Sequence, residues 1–172
     1  PEKTSAWLTN IASQHNQSIT CINYIFCSDE YLLEINKKHL DQIKYEATIC
    51  YPSECCGLLV GNGGNNLYTV TQIVPTKNIL KSHGNDVFEI NPQDRINLER
   101  KLRNDTDSII GHFHSHPDSS HTPSKRDREL AFEPGMIWLI VSVIDGKFHD
   151  FGTYLLDKKK QQPTKLKFEV IN

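Results

Sequence analysis

Residues 111–127, GHFHSHPDSSHTPSKRD, bring together side chains that can bind a metal ion. Four histidines fall within ten positions of this stretch, and an aspartate ends it. Imidazole nitrogens and carboxylate oxygens are both zinc ligands. A catalytic zinc site uses three protein ligands and leaves one position open, whereas a structural site uses four. The stretch therefore predicts a metal centre, whose chemistry depends on which residues are the ligands.

Three ligand sets are conceivable: His114, His116 and Asp127; His112, His114 and His116; or His112, His116 and His121. The last set needs a helix, and Pro117 with the turn-forming residues after it cannot continue one. The second set needs a strand, on which its outer histidines would lie about 13 Å apart. That is too far for one ion with Zn–N bonds of about 2 Å. The first set is geometrically possible, because the loop after Pro117 can fold back and a helix begun at Ser124 would carry Asp127.

The spacing H-S-H-P-x6-S-x-x-D over residues 114–127 resembles the signature of the JAMM (MPN+/JAB) metallopeptidases. Upstream, PSECCGLLVG at 52–61 resembles the strand that bears the glutamate of that family. FEINPQD at 88–94 and PGMIWLIVS at 134–142 are similar to its bacterial members. The likeness covers about residues 42–172. It implies a mixed, largely antiparallel sheet flanked by helices, of the JAMM/cytidine-deaminase-like kind.

The resemblance also implies a role for each matching residue. His114, His116 and Asp127 would bind Zn²⁺, Glu54 would be the general base, and Ser124 would support the oxyanion. The implied reaction is hydrolysis of a peptide or isopeptide bond after the C-terminus of a ubiquitin-like or sulfur-carrier protein, with E1- or E2-like pathway proteins as further partners. Two simpler interpretations stay open: Glu54 as a solvated acid at a strand end, and Ser124 as a helix cap alone.

A second resemblance lies upstream, where residues 19–41, ITCINYIFCSDEYLLEINKKHLD, look like the N-terminal strand and helix of the YbeY endoribonucleases. The H-x3-H-x5-H helix of that family is missing. We therefore expect residues 1–41 to form a small α-β-α segment without its own active site, followed by a metallopeptidase domain at 42–172. The segment is interpreted as a structural appendage, a docking surface or a dimerisation element.

Two alternative functions compete with the peptidase. A non-catalytic MPN-type scaffold is disfavoured because such domains lose the metal ligands, whereas here all of them are present. An RNA-processing factor acting through the N-terminal segment is disfavoured by the missing histidine motif. The net charge of −2 also disfavours an RNA-processing function, because the protein has no excess of positive charge to attract nucleic acid.

Composition limits the remaining possibilities. The 172 residues, 37% of them hydrophobic, suit one domain or one domain with a small extension. No apolar run approaches the roughly 20 residues that span a bilayer, and no targeting segment is recognised. The five cysteines are odd in number and include no CxxC pair, so we expect reduced, buried thiols in a cytoplasmic protein.

Hydrophobic periodicity and turn residues predict the elements that would carry the site. Because hairpins alternate with helices rather than forming regular βαβ units, the predicted class is α+β. Helices are predicted at 2–15, from Ser28 to about 39 with Lys37 and Lys38 in its last turn, at 42–51, from Asn91-Pro92, and from Thr122 to near Phe132. Strands are predicted at 18–27, 55–60, 67–74, 87–90, 108–113, 136–143, 147–155 and 166–171.

Overall fold

The computed structural model describes residues 31–64, 66–131, 133–156 and 163–171. The helix predicted at 2–15 and the strand predicted at 18–27 lie outside them. The elements follow in the order β1 (Leu32–Asn36), α1 (Lys37–Cys50), β2 (Cys56–Gly64), β3 (Leu67–Thr76), a 3-10 turn (Lys81–His83), α2 (Pro92–Lys101), β4 (Ser108–Pro117), α3 (Lys125–Glu129), β5 (Ile137–Ile144), β6 (Lys147–Leu156), β7 (Pro163–Lys165) and β8 (Lys167–Ile171).

The strands form one mixed sheet in the order β7-β6-β5-β4-β2-β3-β1-β8. Its two ends meet, because β7 and β8 are separated only by Leu166. The Leu166 N–H donates to the Thr153 carbonyl (2.8 Å), and the Lys167 N–H donates to the Tyr31 carbonyl (3.2 Å). One C-terminal segment thus pairs with β6 on one side and with β1 on the other. This mixed sheet with few helices confirms the predicted α+β class.

Helix α1 packs one face against the curved sheet. Its buried residues Leu40, Ile43 and Ala47 recur at helical spacing and join the main core with apolar residues of β1 to β6. Fully burying one such leucine or isoleucine side chain contributes roughly 1.5–3 kcal/mol. The helix begins after Asn36, whose side chain accepts the Lys38 N–H (2.8 Å). It ends before Pro52, as predicted.

The predicted helix from Ser28 to about 39 is wrong at 32–36, whereas residues 37–39 are helical but belong to α1, which begins five residues before the predicted start at 42. Residues 32–36 form β1, which lies between β3 and β8 and pairs in parallel with both. Leu33 and Ile35 point into the core at the two-residue period of a strand, and both are fully buried. The two neighbouring strands satisfy the backbone of β1, and these long-range partners outweigh the local helix signals.

The predicted boundary between residues 41 and 42 falls inside α1, which crosses it without a break. The division into two segments stays a prediction, because residues 1–30 lie outside the described part. Two other boundaries shift. The strand predicted at 87–90 is reduced to a single bridge between Asn78 and Ile90, and the helix predicted from Thr122 to near Phe132 spans only α3.

The hairpin turn at Asp145-Gly146 and the helix cap at Asn91 were predicted correctly. Asp145 and Gly146 both adopt positive φ between β5 and β6, as the predicted hairpin turn requires. Asn91 caps α2 by accepting the Gln93 N–H (2.9 Å), with Pro92 at the first helical position. Across the described ranges, no helix is long and apolar enough to cross a membrane.

The pairing of β2 with β4 places the histidine stretch beside the upstream segment that contains Glu54. Cys56 lies opposite His114, and Gly57 lies opposite Phe113. Beyond the ladder, the Cys55 N–H donates to Ser115 Oγ (2.8 Å) and the Ser115 N–H donates to the Cys55 carbonyl (3.2 Å). Residue 54 is therefore held at the end of β4 that carries the histidines.

This pairing needs a glycine at position 57. A Cβ atom there would overlap the Phe113 ring and lie 2.7 Å from the Val74 carbonyl oxygen. We expect Gly57→Ala to lower the free energy of unfolding by about 1–3 kcal/mol, the usual range for overpacking. The control is Gly64→Ala in the same strand, where an added Cβ meets nothing within 4 Å. Urea unfolding of the wild type and the two variants measures the free energy of unfolding of each. Equal stability of Gly57→Ala and Gly64→Ala would contradict the requirement for glycine at position 57.

Candidate active site

The side chains of the three predicted ligands, His114, His116 and Asp127, lie close together. His114 and His116 point to the same face of β4, and Asp127 reaches them from α3. Nε2 of His114 lies 3.1 Å from Nε2 of His116, and the Asp127 carboxylate oxygens lie 3.6 Å from the first and 3.2 Å from the second. Ligand atoms on a tetrahedral zinc with bonds near 2.05 Å are about 3.3 Å apart. The triangle is therefore of the right size for such an ion.

Hydrogen bonding fixes one of the two imidazoles. His116 Nδ1 lies 2.7 Å from the Ser120 carbonyl oxygen, which can only accept, so Nδ1 carries the hydrogen and Nε2 presents its lone pair to the cluster. Burial acts to lower the pKa of His116, but Asp127 and the Ser120 carbonyl outweigh it and raise that pKa.

His114 is held by packing instead. Its side chain is fully buried, and its ring stacks on Phe88 with centroids 4.4 Å apart. Within the described ranges, its Nδ1 has no hydrogen-bond partner. Burial lowers the pKa of His114, which favours the neutral imidazole that binds metals.

Asp127 is oriented by the start of its own helix. The Ser124 N–H donates to Asp127 Oδ2 (2.6 Å), and the Asp127 N–H donates to Ser124 Oγ (3.1 Å), which makes a reciprocal cap. Burial acts to raise the pKa of the Asp127 carboxyl, but His114, His116 and Ser124 hold it well below its usual range. The carboxylate is thus ionised, and the Ser124 hydroxyl, which accepts in this cap, keeps its own proton available to donate.

The loop between His116 and Ser124 is tied down by residues that sequence reasoning missed. Ser142 Oγ donates to the Ser119 carbonyl (2.6 Å), and the Tyr51 hydroxyl donates to Asp118 Oδ2 (2.9 Å). These bonds fix the loop that presents the Ser120 carbonyl to His116. Their partners are 23 and 67 positions apart in the sequence, so no local pattern could reveal them.

Glu54 lies in the segment between α1 and β2 and is only 6% exposed. Its side chain lines a cavity of about 530 Å³ together with His114 and Asp127. Burial raises the pKa of the Glu54 carboxyl to about 8, although the nearby His116 opposes this rise. A carboxyl group with a pKa near neutrality can both accept and release a proton, as a general base must.

Asn78, another residue with no sequence signal, connects the Glu54 backbone to the loop above it. Its amide donates to the carbonyls of Glu54 (3.1 Å) and Val87 (2.8 Å). Its side-chain oxygen accepts the N–H groups of Leu80 (2.9 Å) and Glu89 (3.2 Å). The loop that carries Phe88, which stacks on His114, is therefore hydrogen-bonded through Asn78 to the backbone of Glu54.

Three further histidines of the described residues, His83, His112 and His121, lie outside the triangle of His114, His116 and Asp127. His112 stacks on Trp138 with centroids 5.6 Å apart, and burial lowers its pKa to about 3. It is thus a neutral packing neighbour of the site. His121 Nδ1 lies 2.9 Å from the Tyr154 hydroxyl, and His83 is exposed in the 3-10 turn.

The cysteines beside Glu54 show no reactive character. Cys55 and Cys56 are buried free thiols. Burial raises their pKa values, to about 12 for Cys55 and about 11 for Cys56. Both therefore remain protonated at neutral pH, which agrees with the expected buried, reduced thiols and gives no support to a thiol nucleophile.

Known proteins resemble half or more of this chain. Desampylase of Haloferax volcanii is 34% identical over 91 residues, which are 53% of this chain and 63% of that protein. CysO-cysteine peptidase of Mycobacterium tuberculosis is 24% identical over 124 residues, 72% of this chain and 82% of that protein. The solved structure of DSY2949 from Desulfitobacterium hafniense superposes with a TM-score of 0.70 at 25% identity, covering 81% of this chain and 93% of that one.

A shorter likeness joins the chain to a different kind of protein. Endoribonuclease YbeY of Cytophaga hutchinsonii is 46% identical over 57 residues, 33% of this chain and 40% of that protein. The chain therefore spans less than two thirds of both YbeY and the desampylase.

The family description "Prokaryotic homologs of the JAB domain" matches residues 36–154. That range is more than half of the chain, and it contains the ligand triangle, Glu54 and Ser124. The chain thus belongs to the prokaryotic homologs of the JAB domain.

Proposed function

We propose that this protein is a zinc-dependent peptidase or isopeptidase that hydrolyses the bond after the C-terminus of a ubiquitin-like or sulfur-carrier protein. The observation that carries the proposal is the ligand triangle of His114, His116 and Asp127 in one cavity with a buried carboxyl, Glu54. The names of two relatives, a desampylase and a CysO-cysteine peptidase, support the substrate class.

Zinc is the metal that this donor set fits. Two imidazoles and one carboxylate suit it by ligand type, and three protein ligands leave a position open for chemistry. When bound, zinc would supply a Lewis acid that lowers the pKa of a water toward about 7 and polarises the substrate carbonyl. The chain itself supplies the orientation of the ligands, through the Ser120 carbonyl and the cap at Ser124.

Proton transfer is assigned to Glu54. Its carboxylate takes a proton from the attacking water and, in its protonated form, donates that proton to the leaving nitrogen. The protein's cavity shields the group from bulk water, and burial keeps its pKa near the value at which both steps are efficient. A positioned base of this kind contributes typically 10²–10⁴-fold to the rate.

Stabilisation of the developing oxyanion is assigned to Ser124. Its oxygen accepts the Asp127 N–H, so the hydroxyl proton points away from that bond and can donate to the substrate. The same residue thus starts α3 and serves the reaction, and these two roles are separable by substitution.

Loss of the anionic ligand tests the metal site. We expect Asp127→Asn to lower zinc affinity by more than the roughly 10–100-fold that loss of an outer hydrogen-bond partner costs. The asparagine oxygen can still accept the Ser124 N–H, so the helix start is kept. Zinc content and the zinc-dependent rise in Tm measure the effect, with Asp94→Asn in the first turn of α2 as the control. Chelation should abolish activity and added zinc should restore it, and unchanged zinc content in Asp127→Asn would refute the ligand assignment.

Replacement of the base tests the peptidase assignment. We expect Glu54→Gln to retain zinc and to lose about 10²–10⁴-fold in kcat on a panel of ubiquitin-like proteins extended at the C-terminus. Glu129→Gln, which removes an exposed carboxylate from the helix of Asp127, is the control. Equal turnover by wild type and Glu54→Gln would rule out the proposed mechanism, as would a protein that never binds zinc.

Two substitutions at Ser124 separate its roles. Glycine costs only a few tenths of a kcal/mol at a helix N-cap, whereas alanine costs typically about 1 kcal/mol. If the hydroxyl supports the oxyanion, both Ser124→Gly and Ser124→Ala should lose about 10²–10³-fold in kcat while zinc stays bound. If Ser124→Gly keeps a kcat near that of the wild type while Ser124→Ala does not, Ser124 acts only as a helix cap.

A further inference from the structure

We infer that Arg126 binds a substrate carboxylate next to the scissile bond, so that the enzyme favours release of a C-terminal amino acid over cleavage of a lysine isopeptide. The inference rests on the proposed function and adds a substrate class to it. It starts from the two arginines that line the cavity, Arg95 and Arg126.

The two arginines differ in what they bind. Arg95 donates to Glu99 (3.0 Å) and to Glu133 (2.6 Å), so its charge is already matched by carboxylates. Arg126 is exposed and forms no ion pair within the described part of the chain. Its guanidinium is thus a cation at the cavity wall that lacks a carboxylate partner.

The surroundings of Arg126 make such a cation selective. Besides the two arginines and the histidines, the cavity is lined by the acidic residues Glu54, Asp86, Glu89, Asp127 and Glu133. These residues offer a substrate carboxylate no attractive contact, so a side chain that binds it must be a basic residue of the wall. Guanidinium groups bind carboxylates by two parallel hydrogen bonds, which makes arginine suited to this recognition.

The position of Arg126 relates it to the reacting atoms. It directly precedes Asp127 on α3, and it lines the same cavity as Asp127, His114 and Glu54. Arg126 therefore borders the cavity in which the scissile bond of the proposed reaction must lie.

The chemistry of the leaving group then selects the substrate. In a bond to a C-terminal residue, the α-carboxylate carbon is two bonds from the scissile nitrogen, at about 2.5 Å. A lysine isopeptide has a methylene chain at that place and no carboxylate. The cavity also has an apolar wall, which includes Leu130, Met136 and Trp138 and can take the side chain of the released residue.

The reaction itself needs only water. Water adds across the C–N bond, so the carrier protein gains a C-terminal carboxylate and the released residue gains its amino group, with no oxidation or reduction. Arg126 binds the α-carboxylate of that residue during the reaction and releases it with the product.

The test compares two substrates that differ only in this charge. A panel of ubiquitin-like and sulfur-carrier proteins is extended by one C-terminal leucine, as the free acid or as the carboxamide. We expect the zinc-loaded wild type to cleave the acid with a kcat/KM about 10- to 100-fold higher, the range for hydrogen bonds to charged groups. Arg126→Gln should lose this preference and cleave both at the carboxamide rate, while a lysine isopeptide should resemble the carboxamide.

Lys125→Gln is the matched control, because it removes the same charge one residue earlier from an exposed side chain that pairs with Glu129. It should keep the preference for the free acid. Equal cleavage of acid and carboxamide by the wild type, or an undiminished preference in Arg126→Gln, would overturn this inference and leave the peptidase proposal standing. Failure of the zinc-loaded wild type on every substrate would overturn both.

Discussion

The site depends on the register between β2 and β4. Cys56 opposite His114, together with the two hydrogen bonds between Cys55 and Ser115, sets which residues of the two segments meet. A slip by one residue would turn the histidines from the cavity to the opposite face of the sheet. Other features of the site follow from this pairing, because Glu54 directly precedes the paired segment and the loop to Asp127 begins where β4 ends.

Within this frame, the protein gives two carboxyl groups of one cavity opposite character. Asp127 is surrounded by two imidazoles and a backbone N–H, so its pKa falls and it stays ionised. Glu54 is buried near Asp127, and burial raises its pKa to about 8. Such a separation of pKa values within one site is what distinguishes a metal ligand from a proton carrier. The environment, rather than the residue type, thus sets the protonation state of each carboxyl group.

The sequence was most informative where the signal is local. The spacing around His114, the cap at Asn91 and the Asp145-Gly146 turn could all be recognised, since each depends on residues within a few positions. The helix predicted at 32–36 was wrong, because pairing with two strands distant in the sequence makes this segment the strand β1. The role of Asn78 could not be predicted, because nothing local to an asparagine in a loop indicates that its side chain forms four hydrogen bonds.

The course of β3 sets the distance between the site and the start of β1. β3 runs from Leu67, which lies opposite Leu32, to Thr76, which lies opposite Cys56 beside the histidines. Ten residues of strand span about 30 Å. A substrate that occupied the cavity and also touched the start of β1 would need about nine extended residues to cover this distance.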